Sequence, residues 1–144
     1  MGLGSWARAA ALLVVLWPAT GPVLAEAAEA RRMVTVYLTL LKKGPAWTPE
    51  QTPATKALQE AHLANIRQLW QAQKMIVAGP TEDAAGELRG IFVIKAGSLD
   101  EAKALAASDP AVKAGRLVAM VYPWWVEEGV LPDAGSYCTA KAEK

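Results

Sequence analysis

The sequence predicts an α+β fold of ferredoxin-like type: a single domain with a four-stranded antiparallel sheet and two helices on one face. Three observations carry this reading. Apolar or alternating runs fall at 34–41, 75–80, 90–95 and 116–125, two stretches of helical period open on capping signals, and the order is strand, helix, strand, strand, helix, strand.

In VTVYLTLL (34–41), Val34, Val36, Leu38 and Leu40 alternate with Thr35, Tyr37, Thr39 and Leu41, which is strand spacing. KKGPAWTPEQTP (42–53) holds three prolines and a glycine and reads as a loop, and Thr52-Pro53 supplies an N-cap and a first-turn proline for the first helix. An earlier start at Thr48-Pro49-Glu50-Gln51, also a capping box, is the alternative. On that helix Leu58, His62, Ile66 and Leu69 share one stripe, so the imidazole faces whatever the helix packs on.

MIVAGP (75–80) is a short strand stopped by Gly79-Pro80, TEDAAGELR (81–89) is a polar hairpin connection, and GIFVIK (90–95) is the third strand. Ser98-Leu99-Asp100-Glu101 opens a second helix that Pro110 stops near Ser108, because a proline restricts the residue before it. AVKAG (111–115) adds a turn closed by Gly115, and RLVAMVYPWW (116–125) is the last strand. Residues 126–144 read as a polar tail with little to bury.

Ile91 and Val93 oppose Phe92 and Ile94, and Leu117, Ala119 and Val121 oppose Val118, Met120 and Tyr122. Two helices cover only one face of such a sheet, so the other needs a partner. A second copy related by a two-fold axis is the simplest one, and a homodimer is expected. Tail residues folding across that face are the alternative, which their polarity disfavours.

Residues 1–25 read as an export signal: Arg8, the apolar run 9–17, and small residues up to Ala25, after which cleavage is expected. Cleavage after Ala27 or Ala30 also fits, and the apolar run is short for a membrane anchor. The product is a periplasmic or secreted protein with no membrane attachment. Of the 144 residues, 119 remain, enough for one domain with a core. Arg8 is the signal's only charged residue, so the 15 Lys+Arg fall to 14 and balance the 14 Asp+Glu. A neutral chain without a basic stripe argues against nucleic acid and favours a small molecule or another protein as partner.

His62 is the only histidine and Cys138 the only cysteine, which excludes a zinc site of the usual ligands and an intrachain disulfide. No glycine-rich phosphate loop, haem-attachment motif or G-x-S-x-G elbow is present, so no metal or other cofactor is expected. What remains for catalysis is His62 with a carboxylate. By helical period Asp109 falls on the side of Leu99, Ala102 and Ala106, and both helices lie on one sheet face, so the two residues can meet. The carboxylate would then hold one ring nitrogen as donor and leave the other basic. Two plainer readings compete: His62 as a core histidine bonded to backbone, and Asp109 as a local cap before Pro110.

With HL at 62–63, GP at 79–80, DPAVKAG at 109–115 and PWW at 123–125, the chain resembles the YciI-like (YCII-related) family over roughly residues 33–125. The resemblance implies a dimeric α+β barrel and a histidine and aspartate pair carried onto His62 and Asp109. Some members are dehydrochlorinases of chlorinated hydroxyquinols, and most have no known reaction. Two features depart from the family: Ala111 stands where an aromatic residue often follows the DP, which would widen the pocket or change the ligand, and the signal is unusual among relatives that are often cytoplasmic.

Further candidates for substrate binding are Tyr37, on the half-polar face of the first strand, Gly79 and Pro80 at a strand end, and Trp124 at the dimer contact or pocket rim. Each has an ordinary structural alternative. Two functions follow: an exported, cofactor-free enzyme with a His62–Asp109 base acting on a phenolic or similar cyclic substrate, or a non-catalytic dimeric module that binds a ligand in the same pocket.

Overall fold

A computed structural model describes residues 31–136; the expected signal and Cys138 lie outside them. The elements are β1 (Met33–Lys43), α1 (Pro53–Gln71), β2 (Met75–Pro80), β3 (Leu88–Ile94), α2 (Leu99–Ala107), α3 (Pro110–Lys113) and β4 (Leu117–Glu127). The strands form one antiparallel sheet in the order β2-β3-β1-β4, the ferredoxin-like α+β arrangement.

Local chemistry fixes the helix starts. The Thr52 hydroxyl accepts from the Thr55 N–H and the Thr55 hydroxyl accepts from the Thr52 N–H, a reciprocal capping box, and Thr48 is left outside the helix. The Ser98 hydroxyl accepts from the Glu101 N–H, while Glu101 reaches back to the Gly97 N–H and pairs with Lys74 at 2.7 Å. Gly115 follows α3 at φ +69°, a conformation that suits glycine at a helix end.

The odd-numbered face of β1 meets the helices. Tyr37 and Leu41 join Ile66, Leu69, Met75, Phe92, Ile94, Ala102 and Ala106 in the main core. Thr39 lies on the same face, fully buried, with no hydrogen-bond partner for its hydroxyl among the described residues. An unpaired buried hydroxyl carries its desolvation penalty uncompensated. Thr39→Val is therefore expected to raise stability by about 1 kcal/mol, read as a higher thermal midpoint; a lower midpoint would show that the hydroxyl is bonded in solution.

The tail differs from expectation. Strand β4 runs two residues past Trp125, Val126 is buried, and Leu131 and Ala134 pack with Val36, Ile76 and Val93 on the sheet face away from the helices. Gly135 donates to the Met75 carbonyl at 3.1 Å, with φ +82°, and a Cβ there would lie 2.7 Å from the Trp70 carbonyl oxygen, so glycine is required. The segment is polar on average, but a few apolar residues and one permissive glycine are enough to seat it. The tail covers only part of that face: Val118, Met120, Tyr122 and Trp124 on β4 remain well exposed.

Asp83 organises the β2–β3 connection. Its carboxylate accepts from the N–H groups of Glu87 at 2.8 Å and Leu88 at 2.9 Å, with a longer contact to Ala85, and these bonds, Leu88 first, hold its pKa below the ordinary value of 3.8. A depressed carboxylate contributes stability that is present above its ordinary value and lost as pH falls through its folded value. The stability gap between the wild type and Asp83→Asn is accordingly expected to shrink below pH 3.8, measured by urea unfolding at a series of acid pH values.

Candidate functional site

The α1 stripe delivers His62 to the sheet together with Ile66 and Leu69. Its ring stacks near that of Phe92, with centroids 5.8 Å apart and planes 19° from parallel. Asp109 arrives from the far end of α2. Pro110 keeps it extended, at φ −61° and ψ 129°, and in that conformation its side chain turns back over the start of α3.

Asp109 is both the cap and the partner that the sequence left as alternatives. Oδ1 accepts from the Ala111 N–H at 2.9 Å, while Oδ2 accepts from Asn65 Nδ2 at 3.0 Å and lies 2.8 Å from His62 Nδ1. The carboxylate is fully buried. An ionised carboxylate only accepts, so His62 Nδ1 carries the hydrogen and donates it, and in the neutral ring Nε2 keeps its lone pair.

His62 also lines a cleft of about 680 Å³ between α1 and the sheet. Trp47, Trp70 and Phe92 give the cleft aromatic walls, and Gln59, Arg67, Gln71 and Arg89 are its other polar side chains. Trp47 is fixed by its loop, where Gly44 and Ala46 donate to the carbonyls of Arg116 and Gly115, and Trp47 donates to that of Gly44. A cleft that is apolar over most of its lining, open on one side and furnished with a few polar side chains is a usual form of a small-molecule site.

The other predicted residues divide. Gly79 and Pro80 line the cleft. A Cβ at Gly79 would meet nothing within 4 Å, so no contact there demands glycine; the close approach is at Gly90, whose Cβ would lie 2.8 Å from the Gly79 carbonyl oxygen. Tyr37, on the face of β1 that meets the helices, is a core residue and does not line the cleft. Trp124 is also absent from it: opposite Val36 in the ladder, it belongs to the sheet face turned away from His62. Ala111 is buried outside the cleft, so its small size does not set the cleft's width.

Asn65, Trp47, Arg67 and Arg89 escaped the sequence reading. Asn65 was within reach, since a polar residue three positions after His62 shares its helix face. Arg89 was not, for a reason in the strand pairing. Leu41 pairs with Gly90 and Lys42 with Leu88, which leaves Arg89 as the extra residue of a β-bulge, out of the alternation.

Among the described residues no group of three or more His, Cys, Asp or Glu is placed to hold a metal ion, and no helix is long and apolar enough to cross a membrane. No curated relative matches the chain. Among solved structures, the chain is similar to a 5-chloro-2-hydroxyhydroquinone dehydrochlorinase from Burkholderia phenoliruptrix, solved in complex with 2,5-dihydroxybenzoquinone. Identity is 27%, the match covers 62% of this chain and 92% of that one, and the TM-score is 0.46. The family model for the YCII-related domain matches residues 35–125, a span that holds His62, Asp109 and every cleft residue named above, and the chain belongs to that family.

Proposed function

We propose that this protein is a small-molecule enzyme that removes a proton from a phenolic or similar cyclic substrate, with His62 as general base and Asp109 as the residue that positions it. The observation that carries the reading is one ring in two environments. His62 Nδ1 sits 2.8 Å from a fully buried carboxylate, and the same ring lines the cleft. Nε2 takes the substrate's proton, the imidazolium that forms keeps its Nδ1–H on Asp109, and the carboxylate stabilises the new charge before the proton passes on. Aromatic walls suit a flat ring. The proton transfer itself requires no other group from the protein.

Two further parts of the proposal concern setting. Val118, Met120, Tyr122 and Trp124 form a contiguous exposed apolar strip on the face opposite the helices, the kind of patch that serves as an interaction surface. We assign that strip to a two-fold dimer contact, the arrangement that completes an α+β barrel. We also propose export, a reading supported by the signal pattern of residues 1–25 in the sequence.

The test uses residues 26–144 without a histidine tag, incubated with chlorinated hydroxyquinols, from which loss of the proton lets chloride leave without an oxidant, and with unchlorinated phenols as ligands for the affinity comparison. Conversion of one of the chlorinated compounds, reduced roughly 10²- to 10⁴-fold in His62→Gln while ligand affinity is kept, is the expected result. If His62→Gln removes affinity and no compound is ever converted, the protein is a binding module.

A further inference from the structure

The bulge at Arg89 does more than interrupt a ladder. Counting back from Phe92 through Gly90, regular alternation puts residue 89 on the sheet face away from the helices. The extra residue instead turns to the helix side, where the Arg89 guanidinium carbon lies 4.6 Å from the Trp47 ring centre and the side chain lines the cleft.

Arg89 does not stand alone there. The Arg116 guanidinium carbon is 4.4 Å from the same ring centre and Lys43 Nζ is 5.8 Å from it, while Arg67 lines the cleft from α1. Only Lys43 has a counter-charge, Glu87 at 3.5 Å; Arg67, Arg89 and Arg116 make no ion pair among the described residues. One Arg116 terminal nitrogen is buried with no hydrogen-bond partner among them. No carboxylate lines the cleft, and Asp109 is buried behind His62.

Cation–π contacts offset only part of the repulsion in such a cluster. The free protein therefore holds uncompensated positive charge in and beside a cleft whose remaining polar side chains are His62 and the neutral amides Gln59 and Gln71. We propose that the cleft takes an anionic aromatic substrate, a hydroxylated ring bearing a carboxylate, and that Arg89 selects the carboxylate. A guanidinium is a planar fork that fits a carboxylate with two parallel hydrogen bonds, and stacking on Trp47 pre-orders it. The inference rests on the cleft being the substrate site, as in the function proposed above, but not on His62 acting as a base.

The experiment compares 2,5-dihydroxybenzoate with 2,5-dihydroxybenzamide, which differ in charge and little in shape, by calorimetric titration of residues 26–144. The wild type is expected to bind the carboxylate about tenfold tighter than the amide, by a margin that narrows with added salt. In Arg89→Gln the carboxylate should weaken to the amide's level while the amide is unchanged, which also shows the variant folded. His62→Gln should keep the preference. Equal affinities in the wild type, an unchanged preference in Arg89→Gln, or no binding of either compound at millimolar concentration overturns the proposal. A preserved preference with no turnover of any phenol sinks the base reading and leaves this one standing.

Discussion

In an Asp109→Asn variant the His62 ring is expected to change tautomer and the base to disappear from the cleft. Asn65 Nδ2 and the Ala111 N–H both donate to the carboxylate, each to a different oxygen. An asparagine can keep only one of its two positions as an acceptor. If its oxygen stays on Ala111, its amide nitrogen takes the place of Oδ2 and donates to His62 Nδ1, which must then be the unprotonated nitrogen. The hydrogen moves to Nε2, and the group facing the cleft becomes a donor with no lone pair. Turnover of whatever substrate is found should fall roughly 10²- to 10⁴-fold, as when a triad carboxylate is amidated in a serine protease. The tautomer can be read without knowing the substrate. Long-range nitrogen–proton correlation on this single-histidine chain should show the unprotonated nitrogen at Nε2 in the wild type and at Nδ1 in the variant. An unchanged pattern would overturn this exchange, with the new asparagine keeping its oxygen toward His62 and Asn65 and giving up the Ala111 N–H.

That pair was legible in the sequence because His62 obeys helical period and Asp109, although extended and one residue past the cap of α2, still leaves that helix on its buried side. His62 travels with Ile66 and Leu69, and Asp109 follows Leu99, Ala102 and Ala106 to the same layer. Capping signals at Thr52 and Ser98 fixed both helix starts, and Gly79-Pro80 ended β2 where expected. Features that depend on exceptions to period were hidden. Arg89 reaches the cleft only through a bulge, and a bulge follows from pairing across strands, which no single strand records. Trp47 lies in an irregular loop whose position is set by carbonyls of residues 115 and 116, far along the chain. The faces of Tyr37 and Trp124 are plain from alternation, but which face looks into a cleft depends on where α1 leaves space. Composition misjudged the tail, because Leu131, Ala134 and Gly135 act individually and an average over residues 126–144 dilutes them.

If the β4 strip forms the proposed two-fold contact, Trp124→Asp is expected to convert the dimer to a monomer, weakening association by at least 10³-fold, or about 4 kcal/mol. The side chain sits on the apolar strip with Met120 and Tyr122 and is 40% exposed in the protomer. Replacing it leaves the core under the helices untouched, so the protomer should keep its fold. In a two-fold contact the substitution occurs twice, and each carboxylate would be carried into an apolar interface with no cation given to meet it. A large aromatic anchor is lost on each side as well, and such anchors dominate interface energies. Trp125→Asp is the control. Opposite Thr35, on the other sheet face and 72% exposed, Trp125 lies away from the strip, and its loss should leave the dimer intact. Sedimentation velocity across a concentration series separates the two. A Trp124→Asp protein that still sediments as the wild type does would move the contact off this face, and the exposed β4 strip would then need a different partner. If the variant is monomeric and its histidine keeps the wild-type tautomer, the His62–Asp109 pair is complete within one protomer, and the second copy covers the sheet without building the base.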